Sequence, residues 1–188
     1  MICLWLYLQK KMKLIVLLLL FPTVMNEALL FDFNIQTNIN EWKVIDDTVM
    51  GGRSYGKFKI DQNGNGVFYG DVSTANNGGF SSVRYQLDRK KIGNYKKVAI
   101  RLKGDGKDYQ FRIKDDLNSY FSYITTFKTK GEWETVTLQL KDLYPSFRGQ
   151  TLNLPNFEKD AIEEIVFLIG NKKNESFELL IDKIELVN

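Results

Sequence analysis

Short segments in which apolar and polar residues alternate recur along most of this chain, and glycine-rich turns separate them. Residues 55–60 (YGKFKI) alternate in this way, residues 61–66 (DQNGNG) contain an Asn-Gly step, and residues 67–72 (VFYGDV) follow as a second segment. A period of two is typical of a half-buried strand, because successive side chains point to opposite faces of a sheet. Asn-Gly between two such segments predicts a β-hairpin, since both residues accept positive φ.

The same pattern continues towards the C terminus. Apolar residues occupy alternate positions in residues 98–102 and 109–113, and residues 104–106 (GDG) lie between them, which predicts a second hairpin. Further strands are predicted at residues 120–127, 133–140, 165–169 and 177–184, and short helices only at residues 141–144 and 157–163. Many short strands at regular spacing indicate an all-β fold, either a sandwich or a barrel. With 44% apolar residues the chain can bury one substantial core, so we predict a single domain.

The first 28 residues have a different character. Lys10, Lys11 and Lys13 precede an apolar run at residues 14–21, a pattern typical of an export signal. The run is shorter than the roughly 20 residues that a membrane-spanning helix needs. We therefore predict an export signal at residues 1–28, with its cleavage position left open, and a domain at residues 29–188 that is periplasmic, envelope-associated or secreted. An uncleaved amphiphilic anchor is the alternative.

Charge and composition exclude several kinds of function. Much of the small positive net charge, +3 for the full chain, belongs to the predicted export signal. The nearest basic cluster in the remainder, residues 89–97, is interpreted as a solvated turn, so no nucleic-acid partner is predicted. The chain has no histidine, and its single cysteine is Cys3. Imidazole or thiolate metal sites and Ser-His-Asp or Cys-His catalysis are therefore excluded from the predicted domain. We predict a non-enzymatic domain without metal or cofactor, while a structural calcium ion beside Asp32 and Asp182 is left open.

Two polar, glycine-rich loops stand out from the strand pattern. In residues 46–54 (DDTVMGGRS), Gly51 and Gly52 permit positive φ or a close backbone approach. We expect an aspartate of this loop to accept hydrogen bonds from backbone N–H groups, and we expect Val49 and Met50 to pack against the core.

The second loop, residues 76–84 (NNGGFSSVR), leads into a strand in which Arg84 shares a face with Phe80 and Ser82. A buried guanidinium group needs an acidic or carbonyl partner, since an unpaired buried charge is costly. The candidate partners are Asp46, Asp47 and Asp71. We predict that an ion pair between Asp47 and Arg84 joins the two loops, and that the outer rim of the loops contacts a partner.

Further motifs follow these loops in order: KGDGK at residues 103–107 with Tyr109, then Trp133, then FRG at residues 147–149. The whole series resembles the complex I intermediate-associated protein 30 family over about residues 30–187. The resemblance implies an antiparallel β-sandwich of the galactose-binding-like jelly-roll type, similar to carbohydrate-binding modules of family 11. The eukaryotic members of the family are mitochondrial assembly factors that act as chaperones for respiratory complex I. The export-like N terminus departs from those members and indicates a bacterial member with an unknown client.

The resemblance also supplies the candidate binding residues, which all lie in the family-motif segments. They are Asp46, Asp47, Met50, Gly51, Gly52, Arg53, Ser54, Asn77, Gly78, Gly79, Phe80, Ser82, Arg84, Gly104, Asp105, Gly106, Tyr109, Trp133 and Arg148.

Three functions are compared. The preferred one is a non-catalytic binding module that contacts a protein client, which predicts a contiguous exposed patch of aromatic and arginine side chains without a deep pocket. The alternative is a carbohydrate-binding module of the cell envelope, which predicts aromatic side chains along one concave face. Its candidates are Tyr109, Tyr120, Phe121, Tyr123 and Trp133, although we expect Trp133 to lie in the core.

The third function is a carboxylate-based glycosidase. It needs two carboxyl groups about 5–5.5 Å or about 6.5–9.5 Å apart, and the candidates are Asp47, Asp71 and Asp105. Asp105 is better explained by its turn, so this function ranks last.

Overall fold

The computed structural model describes residues 28–188, so the export signal predicted at residues 1–28 lies outside the described residues except for Ala28. The described chain forms β1 (Ala28–Asp32), β2 (Trp42–Asp46), β3 (Tyr55–Ile60), β4 (Gly66–Val72), β5 (Ser81–Lys91), β6 (Lys97–Lys103), β7 (Asp108–Lys114), β8 (Ser122–Lys128), β9 (Trp133–Gln139), β10 (Tyr144–Phe147), β11 (Gln150–Thr151), β12 (Ala161–Ile169) and β13 (Glu175–Val187). Short 3-10 turns occur at Ile39–Glu41, Asp47–Met50, Ala75–Asn77 and Leu140–Asp142.

The strands form two antiparallel sheets that face each other. The six-stranded sheet has the order β3-β4-β13-β6-β9, and β1 also pairs with β13. The seven-stranded sheet has the order β11-β10-β8-β7-β12-β5-β2. The predicted all-β, antiparallel jelly-roll sandwich is confirmed.

The core lies between the sheets and follows the alternation of the sequence. Val98, Ile100 and Leu102 of β6 are fully buried from one side, and Phe111 and Ile113 of β7 are fully buried from the other. Part of the core is a cluster of aromatic rings in edge, tilted or stacked contact, formed by Phe31, Phe33, Trp42, Phe58 and Tyr85.

The structure confirms the first predicted hairpin and contradicts the second. β3 pairs directly with β4, and Gly64 in the connecting turn has φ of 90°. β6, however, pairs with β13 and β9, whereas β7 pairs with β8 and β12 in the opposite sheet. Residues 104–106 therefore carry the chain across the core from one sheet to the other. Alternation alone cannot distinguish these cases, because both strands present apolar residues to the same core.

The predicted helix at residues 157–163 is wrong. Phe157 is buried in an irregular segment and donates its N–H to Leu143 O, and β12 begins soon afterwards at Ala161. The helix predicted at residues 141–144 is only the 3-10 turn Leu140–Asp142. Among residues 28–188, no helix is long and apolar enough to cross a membrane.

Candidate binding surfaces

The two family-motif loops are joined by one buried carboxylate, that of Asp47, whose exposed fraction is 0%. Oδ1 accepts a hydrogen bond from Ser54 N at 2.9 Å. Oδ2 accepts hydrogen bonds from Ser54 Oγ at 2.5 Å, Gly79 N at 2.5 Å and Phe80 N at 3.2 Å. These donors match the roughly four acceptor positions of a carboxylate. The expectation that an aspartate accepts backbone N–H bonds is confirmed, and the bonds span both loops.

The glycines of both loops are required by the close approach of this carboxylate. A Cβ on Gly52 would lie 2.2 Å from Asp47 Oδ1, and a Cβ on Gly78 would lie 2.5 Å from Asp47 Oδ2. Real Cβ atoms do not approach other atoms this closely. Gly51 has φ of 88° and ends the 3-10 turn Asp47–Met50. The Gly51-Gly52 step therefore serves both roles expected from the sequence, a left-handed turn and a close approach.

Asp46 makes a second connection on the other side of the same strand end. Its Oδ1 accepts a hydrogen bond from Ser81 Oγ at 2.5 Å, and its Oδ2 accepts one from Gly56 N at 3.1 Å. A Cβ on Gly56 would lie 2.1 Å from Ser81 Oγ. The two adjacent aspartates thus diverge, as predicted, and each one connects the loop at residues 46–54 to the start of β5.

The electrostatics of Asp47 favour a structural group that is ionised at neutral pH. Burial alone would raise the pKa of the Asp47 carboxyl, but the hydrogen bonds from Ser54, Gly79 and Phe80 outweigh burial and lower its pKa below the ordinary value. A general acid needs the opposite shift. A carboxylate whose acceptor positions are already filled also has no position left for a ligand.

The outer rim of these loops is exposed. Met50 is 61% exposed, so the expectation that it anchors the loop to the core is wrong. Arg53 and Asn77 are also exposed. Asn76 donates its side-chain N–H to Gly51 O at 3.2 Å and thereby links the two loops at the surface.

Arg84 does not pair with Asp47, so the predicted ion pair between the loops is wrong. It forms an ion pair with Glu164, with Nη1 and Oε2 3.8 Å apart. The reason is strand register: Val83 faces the core, and Arg84 therefore points to the outer face of the seven-stranded sheet. Ser82 shares this parity, and its hydroxyl donates to Ile45 O at 2.9 Å.

On this outer face, a row of side chains crosses six neighbouring strands, and we name it the basic row. Register places Lys43 beside Arg84, Arg84 beside Val166, Val166 beside Arg112, Arg112 beside Ile124, and Ile124 beside Tyr144. Arg112 donates from Nε and Nη2 to Gln110 Oε1, at 3.0 and 2.5 Å. Burial lowers the pKa of the Arg112 guanidinium, and the charge of Arg84 also lowers it.

The motif at residues 104–109 has a structural explanation. Asp105 accepts hydrogen bonds from Tyr109 Oη at 3.0 Å, from Lys107 Nζ at 2.6 Å and from Glu178 N of β13 at 3.0 Å. Gly104 packs directly on Thr129, because a Cβ at Gly104 would lie 2.3 Å from that side chain. The motif therefore holds the corner where the chain passes between the sheets. Gly106 (φ of 83°) supplies the left-handed residue of the corner.

Trp133 is not in the core, contrary to our expectation. It is 36% exposed at the start of edge strand β9, on the outer face of the six-stranded sheet, where the Arg101 guanidinium lies 5.6 Å from its ring centroid. It does not lie on the same sheet as the basic row.

A second exposed surface, which we name the aromatic patch, consists of Tyr120, Phe121, Phe147 and Arg148. Tyr120 is 62% exposed and Phe147 is 37% exposed. The ring of Tyr120 lies 5.3 Å from that of Phe147 and 5.2 Å from that of Phe121, and the Arg148 guanidinium lies 5.2 Å from the Phe147 ring. Arg148 and Gly149 have positive φ and form the two-residue turn between β10 and β11, a geometry that defines a tight hairpin.

The predicted binding residues therefore do not form one site. The residues that connect the two loops are Asp46, Asp47, Gly51, Gly52, Ser54, Gly78, Gly79 and Phe80, and the rim of the loops is formed by Met50, Arg53 and Asn77. The outer face of the seven-stranded sheet carries Ser82 and Arg84, and the corner is held by Gly104, Asp105, Gly106 and Tyr109. Two separate surfaces carry Trp133 and Arg148. The sequence analysis did not identify Arg112 or Glu164 as neighbours of Arg84. Glu164 lies within the apolar strand β12, and an acidic residue in such a strand indicates a charged partner on a neighbouring strand.

No group of three or more His, Cys, Asp or Glu side chains suited to a metal ion occurs among the described residues. Asp182, one of the two residues considered for calcium, lies 3.8 Å from Arg101 Nε.

Comparisons with known proteins agree with this architecture. The chain is similar to the family 11 carbohydrate-binding module from Clostridium thermocellum, solved with a β-1,3-1,4-mixed-linked tetrasaccharide, with a TM-score of 0.67 and 16% identity over 88% of this chain and 98% of that one. An agarase structure matches with a TM-score of 0.54 and 13% identity over 86% of this chain and 24% of the agarase chain. At these identities the likeness shows the fold alone.

Sequence comparison is more specific. The chain is 22% identical over 185 residues to the mouse (Mus musculus) protein named complex I intermediate-associated protein 30, mitochondrial, covering 86% of this chain and 56% of that protein. The chain thus spans little more than half the length of this relative. The family model for complex I intermediate-associated protein 30 matches residues 31–181, which include both connected loops, the corner motif and the β10–β11 hairpin. This chain belongs to the complex I intermediate-associated protein 30 family.

Proposed function

We propose that this protein is a non-catalytic binding module that acts through contacts with a protein client. The aromatic patch carries this proposal. Tyr and Arg are enriched among residues that dominate protein–protein binding energy, and exposed apolar groups that cluster mark interaction sites more often than scattered ones do. Family membership supports the proposal, since the mouse relative is named for its association with an intermediate of complex I.

The hairpin geometry suits such a role. Pairing of β10 with β8 (Ser146 opposite Ser122) positions Phe147 relative to Tyr120, and the two-residue turn at Arg148 and Gly149 holds the end of β10, so little conformational entropy is lost when a partner binds. The patch combines exposed side chains at the end of β10 and in the segment before β8. This matches the kind of surface expected of the preferred function.

The chemistry of the acidic groups supports binding without catalysis. Asp47 is ionised and fully hydrogen-bonded, Asp105 holds the corner, and Asp71 accepts a hydrogen bond from Ser176 Oγ at 2.6 Å. The hydrogen bonds to Asp47 outweigh its burial and lower the pKa of its carboxyl, which is the opposite of the shift that a glycosidase acid requires. We therefore propose that the module has no glycosidase activity of its own.

Affinity purification from the native host with the tagged full-length chain tests the proposal. A client protein should be recovered with the wild type and with Ile35→Ser, a control at a residue that is 74% exposed elsewhere on the domain. Recovery should fall at least several-fold with Tyr120→Ser and with Arg148→Ser. Equal recovery with all four chains, or recovery of glycans without protein, would contradict the proposal.

Carbohydrate binding is the second candidate, and the fold it shares with the family 11 module favours it. Sugar recognition by stacking needs exposed flat rings. Of the candidates named for it, Tyr109 and Tyr123 are buried, and Tyr120 and Phe121 belong to the aromatic patch. Trp133 and Tyr55 are exposed on the outer face of the six-stranded sheet. Pulldown with soluble glucans and galactans tests this candidate, and saturable retention that Trp133→Ala abolishes would support it. We also propose that the chain is exported, which fractionation of the native cells would test.

A further inference from the structure

We infer that the free edge of β9 pairs with β9 of a second copy of this chain. Antiparallel pairing of the two edges joins the six-stranded sheets of both copies into one continuous sheet around a two-fold axis. This self-association goes beyond the proposed function and does not involve the aromatic patch.

β9 lacks the protection that β2, β3 and β11, the other end strands of the two sheet orders, have. β11 has only two residues, and β2 and β3 carry lysine side chains at Lys43, Lys57 and Lys59. The N–H of Gly56 in β3 is also engaged, because it donates to Asp46. β9 instead has seven residues, WETVTLQ, with no lysine, no proline and no shift of register. An edge without these features is a template for pairing with another strand.

The backbone of β9 presents unpaired hydrogen-bonding groups at this edge. Leu140 N donates to Lys96 O at 2.9 Å, which continues the ladder between β9 and β6 by one residue. Because alternate residues of an antiparallel strand bond to a given neighbour, the even-numbered residues of β9 bond to β6 and the odd-numbered residues face the free edge. Those odd-numbered residues are Trp133, Thr135, Thr137 and Gln139. Within residues 28–188 their N–H and C=O groups form no hydrogen bond to a loop or a side chain, and such a row is matched by another extended backbone.

β9 matches itself in antiparallel pairing. When Val136 lies opposite Val136 of the second copy, Thr135 lies opposite Thr137. Trp133 then lies opposite Gln139, so every residue that faces the free edge meets another that faces the free edge. A shift by one residue would set these groups against groups that already bond to β6, and a shift by two residues would leave one of them unpaired on each strand. The backbone thus selects one register, with the two-fold axis beside Val136.

The side chains of β9 suit this register. Threonine opposite threonine is a favourable cross-strand pair, and the register forms it twice. Val136 packs against the core and is half-buried, so pairing with Val136 of the second copy covers its remaining surface. Glu134, the single charged residue of β9, lies opposite Leu138 and about 14 Å along the strand from Glu134 of the second copy, so like charges do not meet. A strand of unrelated sequence would satisfy the backbone groups, but these matches are properties of β9 with itself and favour a second copy.

Disulfide crosslinking of the full-length chain tests the register. Val136→Cys is combined with Cys3→Ser, which removes the single native cysteine. In this register the Cα atoms of the two residues at position 136 lie about 4.5 Å apart, a distance that a disulfide spans. Thr137→Cys with Cys3→Ser is the matched control, because its two copies are diagonal neighbours about 7–8 Å apart. With oxidised glutathione as oxidant we expect at least about fivefold more crosslinked dimer for Val136→Cys than for Thr137→Cys, although Thr137 is the more exposed residue.

Sedimentation equilibrium of the full-length chain measures the association itself. The mass of the wild type should rise from that of one chain towards that of two as the concentration increases. Thr137→Pro removes an N–H that faces the free edge and no hydrogen bond to β6, so the variant should stay folded by circular dichroism while its dimer dissociates at least about tenfold more readily. Tyr120→Ser, in the aromatic patch, should dimerise like the wild type, which separates this result from a failure of the proposed function.

Three results would overturn the inference. They are a wild-type chain that is monomeric at every concentration, equal disulfide yields at positions 136 and 137, and a folded Thr137→Pro variant that dimerises as strongly as the wild type. A monomeric chain that loses its client when Thr137 is replaced by proline would assign the β9 edge to a strand of the client and not to a second copy.

Discussion

Replacement of Asp47 by alanine is the perturbation whose consequence the structure determines most closely. The substitution removes the acceptor of hydrogen bonds from Ser54 N, Ser54 Oγ, Gly79 N and Phe80 N in a fully buried position. Each buried donor left unpaired costs about 1–3 kcal/mol. The serine hydroxyl can rotate and water can enter the space, so the losses do not add fully. We expect the free energy of unfolding to fall by about 3–5 kcal/mol, out of the 5–15 kcal/mol typical of a domain.

A loss of this size should lower Tm by on the order of 10 °C for a domain of this length. Thermal and urea unfolding, followed by circular dichroism and tryptophan fluorescence, measure it. Asp71→Ala is the matched control, since Asp71 is exposed and accepts one hydrogen bond, from Ser176 Oγ. A change in Tm for Asp47→Ala no larger than that for Asp71→Ala would refute the reasoning. If partner binding were lost at the same time, Asp47 would belong to the binding surface and not to the connection between the loops.

Three further predictions concern the loops and the core. Gly52→Ala should lower the free energy of unfolding by more than about 1 kcal/mol, because its Cβ would meet the Asp47 carboxylate, whereas Gly131→Ala, which meets nothing within 4 Å, should be nearly neutral in urea unfolding. The ionised Asp47 carboxyl has a folded-state pKa below its unfolded value, so its stabilisation is complete at neutral pH and is lost as pH falls below about 4. The difference in unfolding free energy between wild type and Asp47→Asn should therefore shrink on acidification; a constant difference would argue against the assignment. Trp42→Ala should cost about 3–5 kcal/mol and Trp133→Ala far less, since their exposed fractions are 4% and 36%, and equal losses in calorimetry would contradict the two placements.

The strands were predictable because burial between two sheets imposes a period of two on the sequence. Residues 98–102 and 109–113 were placed correctly as strands with the correct inward residues. Their partners were not predictable, because a Gly-Asp-Gly turn can connect two strands of one sheet or cross between two sheets. The placement of Trp133 could have been derived from the sequence. It shares the parity of the exposed Thr135 and Thr137, opposite to that of the buried Leu138.

The candidate sites were less predictable, since contacts between distant segments depend on register. The need of Asp47 for backbone donors was foreseeable from the two glycine-rich loops, but Gly79 and Phe80 lie more than 30 residues away and only pairing of β2 with β5 brings them close. The prediction that Arg84 pairs with Asp47 failed for the same reason, because Arg84 and Asp47 point in different directions from the same pair of strands. The FRG motif identified Phe147 and Arg148 of the aromatic patch from the sequence. The contact between the rings of Phe147 and Tyr120 depends on the fold and could not be predicted.

Site-specific photo-crosslinking tests the central claim, that this domain works by contacting a protein through the aromatic patch. A photoreactive phenylalanine analogue replaces Phe147 in the full-length chain, and in a parallel sample it replaces Ile35, which is exposed elsewhere on the domain. After irradiation in the native cells, the adducts are identified by mass spectrometry. The account predicts that position 147 forms one dominant adduct with a protein and that position 35 does not. Equal labelling of many proteins at both positions, or adducts of position 147 with glycans alone, would contradict it.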